Sequence, residues 1–234
     1  MPLSRTNDRK TANMSTKNGK QSKIKNAFSL PAGNDYSCPG ATSFCQSICY
    51  AGKLEKLYPS FRDLVVRNWE MLKGASTSEM FVLLDEMIID FRAECDKWNA
   101  PKKFRIHADG DFFNMEYVMA WATVIQLNPD IQFWAYTRSD FAAEYLHNAE
   151  FSNLGLYFSG DPVNVETAKT MESNGINVAY VATTFDEAKD AFSGPRCPEQ
   201  NGALPLIDEK GGACVTCGKC VFGRGNILFS VTKK

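Results

Sequence analysis

The stretch IQFWAYTRSDFAAEYLHNAEFSNLGLYFSGDP, residues 131–162, decides the fold of this chain. It begins and ends with apolar runs rich in aromatic residues, which favour strands. The segment between them, DFAAEYLHNA (140–149), has apolar residues at helical spacing. Two strands joined by a helix form a right-handed βαβ unit with parallel strands. The stretch therefore predicts the α/β class.

The same alternation of strand and helix continues on both sides of this unit. The strand-like run FRIHADGDF (104–112) and the helical MEYVMAWATVIQL (115–127) precede it. The helical VNVETAKTMESNG (163–175), the run INVAYVATT (176–184) and a helix start at Phe185 follow it. Repeated βαβ units predict a parallel sheet, either an open doubly wound sheet or, as we expect, a partial or complete (β/α) barrel.

A short first strand is predicted upstream of this region, at residues 27–30, and a cysteine-containing loop follows it. Residues 58–73 and 76–98 have apolar side chains at helical spacing, and the second segment opens with a Ser-x-x-Glu capping pattern. With 234 residues and 44% hydrophobic content, the chain can bury one substantial core. We therefore predict one β/α domain over residues 27–193.

Both ends of the chain lie outside this domain. Residues 1–26 carry seven Lys or Arg against one acid, which leaves 19 basic and 26 acidic residues beyond them. We predict a flexible basic arm here, which can contact nucleic acid but in most proteins is only solvated. Residues 194–234 lose the alternation and contain Cys197-Pro198 and CVTCGKC, so we predict a Cys-rich, metal-binding C-terminal extension.

Polar residues follow the predicted strands, at the ends where α/β sheets build their sites. His107 can act as a ligand or general base, or as a hydrogen-bonded structural residue. Arg138 can hold a carboxylate or phosphate and Asp161 a ribose or ammonium group, with helix capping or an exposed ion pair as the alternative for both. The candidate catalytic and cofactor-binding residues are His107, Asp109, Gly110, Asp111, Arg138, Ser159 and Asp161.

Three cysteines follow the first strand, in CPGATSFCQSICYAGK (38–53). In a reducing compartment this spacing favours a metal over disulfides. The thiolates of Cys38, Cys45 and Cys49 can hold a [4Fe-4S] cluster and leave one iron open to another ligand. The alternatives are zinc, with His107 as its fourth ligand, and simple burial of the thiols.

The C-terminal extension carries a second group of cysteines. CVTCGKC has the C-x2-C-x2-C spacing of bacterial ferredoxins, in which a remote Cys-Pro completes the site. A [4Fe-4S] cluster and a four-cysteine zinc site fit this pattern equally well, and we expect a structural role. Cys95 lies in a helical stretch and is predicted to be a packed thiol. The predicted ligands are Cys197, Cys214, Cys217 and Cys220.

The sequence also excludes several classes of protein. No P-loop, G-x-G-x-x-G, G-x-S-x-G or H-E-x-x-H motif is present, which argues against the commonest NTPases, dinucleotide enzymes, serine hydrolases and zincins. No apolar run approaches the roughly 18 residues of a membrane span, and the N-terminus lacks an apolar signal region. We expect a cytoplasmic protein without a membrane partner, in the host cytoplasm if the chain is phage-encoded.

Several motifs carry a resemblance to known proteins: LPAGNDYSCPGATSFCQSICYAGK (30–53), FRIHADGDFFNMEYVMAW (104–121), FWAYTRS (133–139) and the C-terminal CPEQ and CVTCGKC. Through these motifs, which span nearly all of residues 23–221, the chain resembles the phage gene-product-88-like family. That resemblance implies relatives encoded by phages and implies no particular reaction.

The three-cysteine loop after a first strand, and RIHADGDFF (105–113) after a second, carry a broader resemblance. The chain is similar here to the radical S-adenosylmethionine (SAM) superfamily, whose β/α barrel has a Gly-Gly-Glu-Pro-like motif after its second strand. This resemblance implies that an open iron binds SAM and that Asp109, Gly110 and Asp111 hold its amino group. The loop is C-x6-C-x3-C instead of the usual C-x3-C-x2-C, which leaves SAM, another ligand and a structural ion open.

Two functions follow as expectations. The first is a radical-SAM-like iron–sulfur enzyme of unknown substrate, which orients a cofactor-derived radical and uses an electron donor. The second is a zinc-stabilised, phage-encoded binding module that contacts nucleic acid or a host protein. In the first, Asp111 and the cysteine loop should face one another across the mouth of the β/α domain, because both follow adjacent parallel strands.

Overall fold

The structure is a computed structural model that describes residues 2–7, 10, 13–17, 20–208 and 211–232. The strands are β1 (Asn13–Lys17), β2 (Lys20–Ile24), β3 (Ala27–Ser29), β4 (Lys103–Asp109), β5 (Gln132–Thr137), β6 (Leu154–Gly160), β7 (Asn177–Ala182), β8 (Ile207–Asp208), β9 (Gly211–Gly212) and β10 (Ile227–Ser230). The helices are α1 (Ser43–Ile48), α2 (Tyr50–Leu57), α3 (Pro59–Leu72), α4 (Thr77–Trp98), α5 (Met115–Leu127), α6 (Asp140–Asn148), α7 (Val165–Ser173), α8 (Phe185–Ala191) and α9 (Ala213–Cys217).

A parallel six-stranded sheet forms the centre of the fold, in the order β3-β4-β5-β6-β7-β10. The strands follow one another in chain order, and right-handed crossovers then place the connecting helices on one face. A closed barrel of this kind needs eight strands, so six make an open, partial barrel. The predicted α/β class and the strand and helix alternation over residues 27–193 are confirmed.

The main core lies between the sheet and its helices. Phe104 of β4 and Phe133 of β5 point to this face, with ring centroids 6.2 Å apart. Trp121 of α5 packs against both rings, at 6.2 and 6.4 Å. Because all three side chains are removed from water, each stabilises the fold by about 1.5–3 kcal/mol.

The opposite face of the sheet, which would line a closed barrel, is covered by the C-terminal extension. The Tyr157 hydroxyl donates to the carbonyl oxygen of Gly225 at 3.0 Å. At Gly155 a Cβ atom would lie 2.5 Å from the Cys220 carbonyl oxygen and 2.6 Å from that of Val221. Only glycine therefore lets the extension lie directly on β6. The extension also supplies β10, which pairs with β7 and was not predicted.

The N-terminal arm and the extension meet in a second, antiparallel sheet of order β2-β1-β9-β8. The backbone amide of Thr6 donates to the Ala27 carbonyl oxygen at 2.7 Å. Arg5 pairs with Glu94 at 2.8 Å, and Lys10 pairs with Glu199 at 2.7 Å. In the described residues the arm is thus packed on the body, which differs from the predicted flexible arm. Carboxylates of the same chain neutralise part of the positive charge of the arm.

Two further features bear on the site. The stretch predicted as a cysteine loop contains α1 and α2, whose buried residues are limited to Ala51. The pairing of β3 with β4 shifts register, because Ala27 pairs with Arg105 whereas Ser29 pairs with Asp109. Two extra residues on β4 break the in-and-out alternation of its side chains. Within the described part of the chain, no helix is long and apolar enough to cross a membrane.

Candidate metal and cofactor site

The first cysteine segment lies over the carboxyl ends of the parallel strands. The Asp111 amide donates to the Ser37 hydroxyl at 3.3 Å, and the Ser37 hydroxyl donates to the Pro31 carbonyl oxygen at 2.7 Å. A Cβ atom at Gly40 would lie 2.7 Å from the carbonyl carbon of Arg138. The prediction that Asp111 and the cysteine segment share one edge of the sheet is confirmed.

Gly110 permits this close approach. Its φ of +87° lies in the region that favours glycine, and a Cβ atom there would lie 2.6 Å from the Ser37 hydroxyl oxygen and 2.7 Å from the Leu30 Cβ. Because Gly110 has no side chain, the two loops can pack directly against each other at this point. Its neighbour Asp109 is buried and accepts a hydrogen bond from the Ser29 hydroxyl at 3.4 Å, toward β3.

Asp111 is buried and accepts three hydrogen bonds. Its Oδ1 accepts from the Phe112 amide at 2.7 Å and from the Thr137 hydroxyl at 2.6 Å, and its Oδ2 accepts from the Arg138 amide at 2.8 Å. Burial raises the pKa of this carboxyl to about 6, and the hydrogen bonds oppose the shift. A carboxylate has about four acceptor positions. Asp111 thus joins β4 to β5 and has one position on Oδ2 left for a ligand.

Arg138 and Asp161 are bound to each other. Nη1 of Arg138 donates to Oδ2 of Asp161 at 2.6 Å and to the Ser159 carbonyl oxygen at 2.9 Å. Thr42 donates its hydroxyl to the same Asp161 oxygen at 2.5 Å. The two side chains therefore form a buried ion pair, which differs from the exposed pair of the sequence-based alternative. Ser159 contributes its carbonyl oxygen to the site, as the acceptor from Arg138.

Two of the first three cysteines, Cys45 and Cys49, are held by short helices. Thr42 caps α1 and accepts from the Cys45 amide at 3.0 Å, and the Cys49 sulfur caps α2 and accepts from the Gly52 amide at 3.5 Å. The positive charge of Arg138 acts on Cys45. All three are free, partly buried thiols. Cys45 is close enough to Cys38 and to Cys49 for their charges to interact.

Burial favours the protonated form of the Cys38 and Cys45 thiols. Desolvation, and then the charge of Asp111, raise the pKa of Cys38 to about 12. Desolvation also raises the pKa of Cys45, and the positive charge of Arg138 opposes that shift. Metal ligands must be deprotonated, so a bound cationic centre would release protons from this group.

His107 does not take part in this site. Its Nε2 lies 3.0 Å from the Tyr117 hydroxyl, and its ring packs edge-on against Phe112 at 4.7 Å. Desolvation lowers the pKa of His107 to about 3, so the buried ring is neutral. The structure thus places His107 in the core as a hydrogen-bonded residue, which is how the structural alternative describes it. A role for His107 as zinc ligand or general base stays a prediction.

The second group of cysteines lies on the inner face of the sheet. Cys214 and Cys217 belong to α9, and Gly218, with φ of +70°, ends that helix and turns the chain toward Cys220. Cys220 interacts electrostatically with Cys197 and Cys217, and Tyr136 with Cys220 and Cys214. Tyr136 thus lies near Cys220 and Cys214, and Cys197 and Cys217 lie near Cys220. Cys95 is buried apart from both groups, as predicted.

Tyr136 is a functional candidate that the sequence did not indicate. Tyr136 lies close enough to Cys220 for the two groups to interact, and the Arg105 guanidinium carbon lies 5.3 Å from its ring centroid. Desolvation, with the Cys220 and Cys214 charges, raises the pKa of Tyr136 far above its ordinary value. Tyr136 lies on β5, which ends one residue later at Thr137.

The described side chains do not form a closed site for a single ion. Among the residues that the structure describes, no three His, Cys, Asp or Glu side chains are arranged to hold one metal ion. A metal centre at either cysteine group therefore stays a prediction.

Comparisons with known proteins agree with the phage resemblance. A family model described as Gene product 88 matches residues 1–223, which include both cysteine groups. The Gene 88 protein of Mycobacterium phage L5 is 52% identical over 236 residues, which cover 99% of each chain. The Gene 88 protein of Mycobacterium phage D29 is 52% identical over 237 residues, again with 99% coverage of each. No solved structure matches the chain.

Proposed function

The chain belongs to the Gene product 88 family, and from this premise we propose that it is an iron–sulfur enzyme of radical-SAM-like type. Cys38, Cys45 and Cys49 would hold a catalytic [4Fe-4S] cluster at the open edge of the partial barrel. When bound, the cluster supplies one-electron chemistry and one iron open to a ligand. The observation that carries the proposal is three free thiols, without a fourth cysteine, beside Asp111 and Arg138.

The surrounding residues support such a centre through charge and hydrogen bonding. The positive charge of Arg138 acts on Cys45 and would offset negative charge on the thiolates, and the pair with Asp161 fixes the position of Arg138. The remaining acceptor position on Asp111 suits the ammonium group of an amino-acid-like ligand. SAM has such a group, as well as a carboxylate that can bind an open metal position.

Metal and sulfide analysis of anaerobically prepared protein tests the proposal. We expect iron and acid-labile sulfide in equal amounts, with a brown colour that oxygen bleaches. Cys45→Ser should lose the iron of the first site, whereas Cys95→Ser removes a buried thiol outside both groups and should retain it. Stoichiometric zinc without sulfide would refute the proposal.

Ligand binding is tested separately. Calorimetric titration with SAM should show binding to the iron-loaded protein, and Asp111→Asn should weaken it while iron is retained. Because Asp111 also joins β4 to β5, the melting curve of the variant must be measured alongside. Loss of iron instead of affinity would show that Asp111 serves the cluster or the fold and not the ligand.

The nucleic-acid alternative has weaker support. Two cations of the basic arm, Arg5 and Lys10, pair with Glu94 and Glu199 of the same chain. Charges that are neutralised within the chain contribute less to phosphate binding. A zinc-stabilised binding module would give a colourless, zinc-loaded protein that shifts the mobility of DNA or RNA in a salt-dependent way. Brown protein without such a shift would exclude this alternative.

A further inference from the structure

The outer face of α2 and the turn that follows it expose large hydrophobic side chains. Tyr50 is 54% exposed, Leu57 69% and Tyr58 57%. Among the described residues, six large hydrophobic side chains are more than half exposed, and three of them lie within residues 50–58. Single exposed hydrophobic residues are common on protein surfaces, whereas several in one place mark a surface that binds a partner.

The inner face of the same helix fixes this orientation. Ala51 is buried, and one turn later Glu55 accepts a hydrogen bond from the Ala32 amide at 2.9 Å. Side chains two positions after these lie on the opposite side of a helix with 3.6 residues per turn, and they point outward. The Tyr50 hydroxyl also donates to the Ala108 carbonyl oxygen near the end of β4. The exposed face is therefore held at the edge of the sheet where the candidate site lies.

Positive charge lies beside these hydrophobic side chains. Lys53 and Lys56 are exposed on α2, and Arg62 is exposed in the first turn of α3. In the part of the chain that the structure describes, no ion pair joins any of the three to a carboxylate, although the charge of Arg62 acts on Glu55. The chain beyond residue 26 carries 19 basic and 26 acidic residues, so this positive patch lies on an acidic body. The patch is complementary to an anionic partner.

An anionic strand with unpaired bases fits this combination best. Cations neutralise phosphates, and exposed aromatic rings stack on bases whose faces are free. In a duplex those faces are already stacked on one another. A protein partner binds through side chains that fill pockets. None of residues 50–62 lines the two cavities of about 330 and 280 Å³ that lie beside α6.

We propose that the outer face of α2 and the first turn of α3, residues 50–62, bind single-stranded nucleic acid, either DNA or RNA. In this α2–α3 surface Tyr50 and Tyr58 stack on bases, and Lys53, Lys56 and Arg62 bind phosphates. The surface is separate from the basic N-terminal arm. It requires no metal at either cysteine group, and it therefore goes beyond the proposed function.

Fluorescence anisotropy of labelled oligonucleotides tests the α2–α3 surface in the full-length protein. Single-stranded DNA and single-stranded RNA are titrated separately, with duplex DNA of the same sequence as the comparison. Three phosphate contacts on a single strand predict a slope of about −2 for the logarithm of the binding constant against that of the salt concentration. Binding of either single strand supports the inference, and the tighter one identifies the ligand. No binding, or tighter binding of the duplex, would overturn it.

A double variant tests the phosphate contacts. Lys53→Ala/Lys56→Ala removes two of the three and should make the slope shallower by about 1.4. The matched control is Lys169→Ala/Lys189→Ala, which makes the same change of charge on α7 and α8 and should leave the slope unchanged. Equal slopes in the two double variants would place the contacts elsewhere, such as on the basic arm, and the inference would fail.

Tyr58 tests the stacking contact. Tyr58→Ala should weaken binding about fivefold or more, which corresponds to about 1 kcal/mol. The Tyr58 side chain makes no cap hydrogen bond to α3, so the variant should keep the melting temperature of the parent protein. Tyr58→Phe keeps the ring and should bind like the parent. If the alanine variant also binds like the parent, bases do not stack on this surface and the inference is wrong.

Two further outcomes are decisive. An exposed basic helix can also bind an anionic membrane, which sedimentation with vesicles containing phosphatidylglycerol measures. Binding to vesicles and not to oligonucleotides would overturn the inference. The metal analysis is independent of these measurements. Brown protein that binds no oligonucleotide would overturn the α2–α3 surface and leave the proposed function standing. Colourless, zinc-loaded protein that binds through Lys53 and Lys56 would support the surface and refute the proposed function.

Discussion

Arg138 and Asp161 form a buried ion pair, with Nη1 of Arg138 2.6 Å from Oδ2 of Asp161. Thr42 donates its hydroxyl to the same oxygen, so the pair joins the ends of β5 and β6 to the segment that carries the first cysteines. The positive charge of Arg138 also acts on the Cys45 thiol. The ion pair therefore positions a guanidinium group beside a thiol, and its loss should affect both the fold and the thiol.

Asp161→Asn should lower the free energy of unfolding by about 3–5 kcal/mol, because removing one partner leaves the Arg138 charge buried without compensation. Urea denaturation of the metal-free protein measures this change. The matched control is Asp186→Asn, which removes an exposed partner of Arg196 and should cost at most about 1 kcal/mol. Equal effects of the two substitutions would contradict a buried role for the pair.

Thr42→Val should expose the thiol of Cys45. The substitution removes the N-cap of α1 and the hydrogen bond to Asp161, and loss of a cap costs about 1 kcal/mol. A loosened α1 opens more often, so Cys45 in the metal-free protein should react faster with a thiol reagent. Thr42→Ser keeps the hydroxyl and should react like the parent protein. If the valine variant is as slow as the parent, the cap does not control access to Cys45.

Gly110→Ala should destabilise the protein more than Gly33→Ala does. Both glycines have positive φ, at +87° and +114°, so both substitutions introduce backbone strain of about 1–2 kcal/mol. Only at Gly110 would the added Cβ meet Ser37 and Leu30, whereas nothing lies within 4 Å of it at Gly33. Overpacking adds about 1–3 kcal/mol. Thermal unfolding of the two variants should differ by this amount, and equal melting temperatures would contradict the contact.

His107 should make the protein less stable in acid. Its pKa is about 3 in the folded state, against 6.5 ordinarily, so only the unfolded chain binds this proton between those values. Stability is then lost as pH falls below 6.5, by about 1.4 kcal/mol per pH unit.

His107→Gln should remove this contribution and can keep the hydrogen bond to Tyr117. Asp111 changes the free energy of unfolding in the opposite direction. Its pKa is raised from 3.8 to about 6 in the folded state, so the folded protein binds this proton more readily and gains stability as pH falls between those values. The difference between the parent and the His107 variant isolates the histidine, since both contain Asp111. Parallel curves of unfolding free energy between pH 4 and pH 7 would show that His107 does not titrate as described.

The sequence alone determined the parts of this protein that depend on local pattern. The βαβ order over residues 131–162 was predictable because apolar spacing reports which face of each strand and helix is buried. The parallel sheet follows from that order, because crossovers between strand and helix join parallel strands. The single layer of helices was decided by the consecutive strand order of the folded sheet. The Ser-x-x-Glu pattern at Ser76 predicted the capping box that begins α4. The two cysteine groups were also recognisable, because close spacing of ligands is a property of the chain.

Only the tertiary structure decided which side chains face one another. The register shift between β3 and β4 turned His107 into the core, and no local pattern indicates a register shift. The sequence allowed Arg138 to bind a ligand. In the folded protein Asp161, which follows the next strand, lies 2.6 Å from it and forms an ion pair. Tyr136 became a partner of Cys220 because the extension, 84 residues later in the chain, lies on the inner face of the sheet. Such contacts depend on the packing of distant segments, and the free energy of that packing is not encoded in any single stretch.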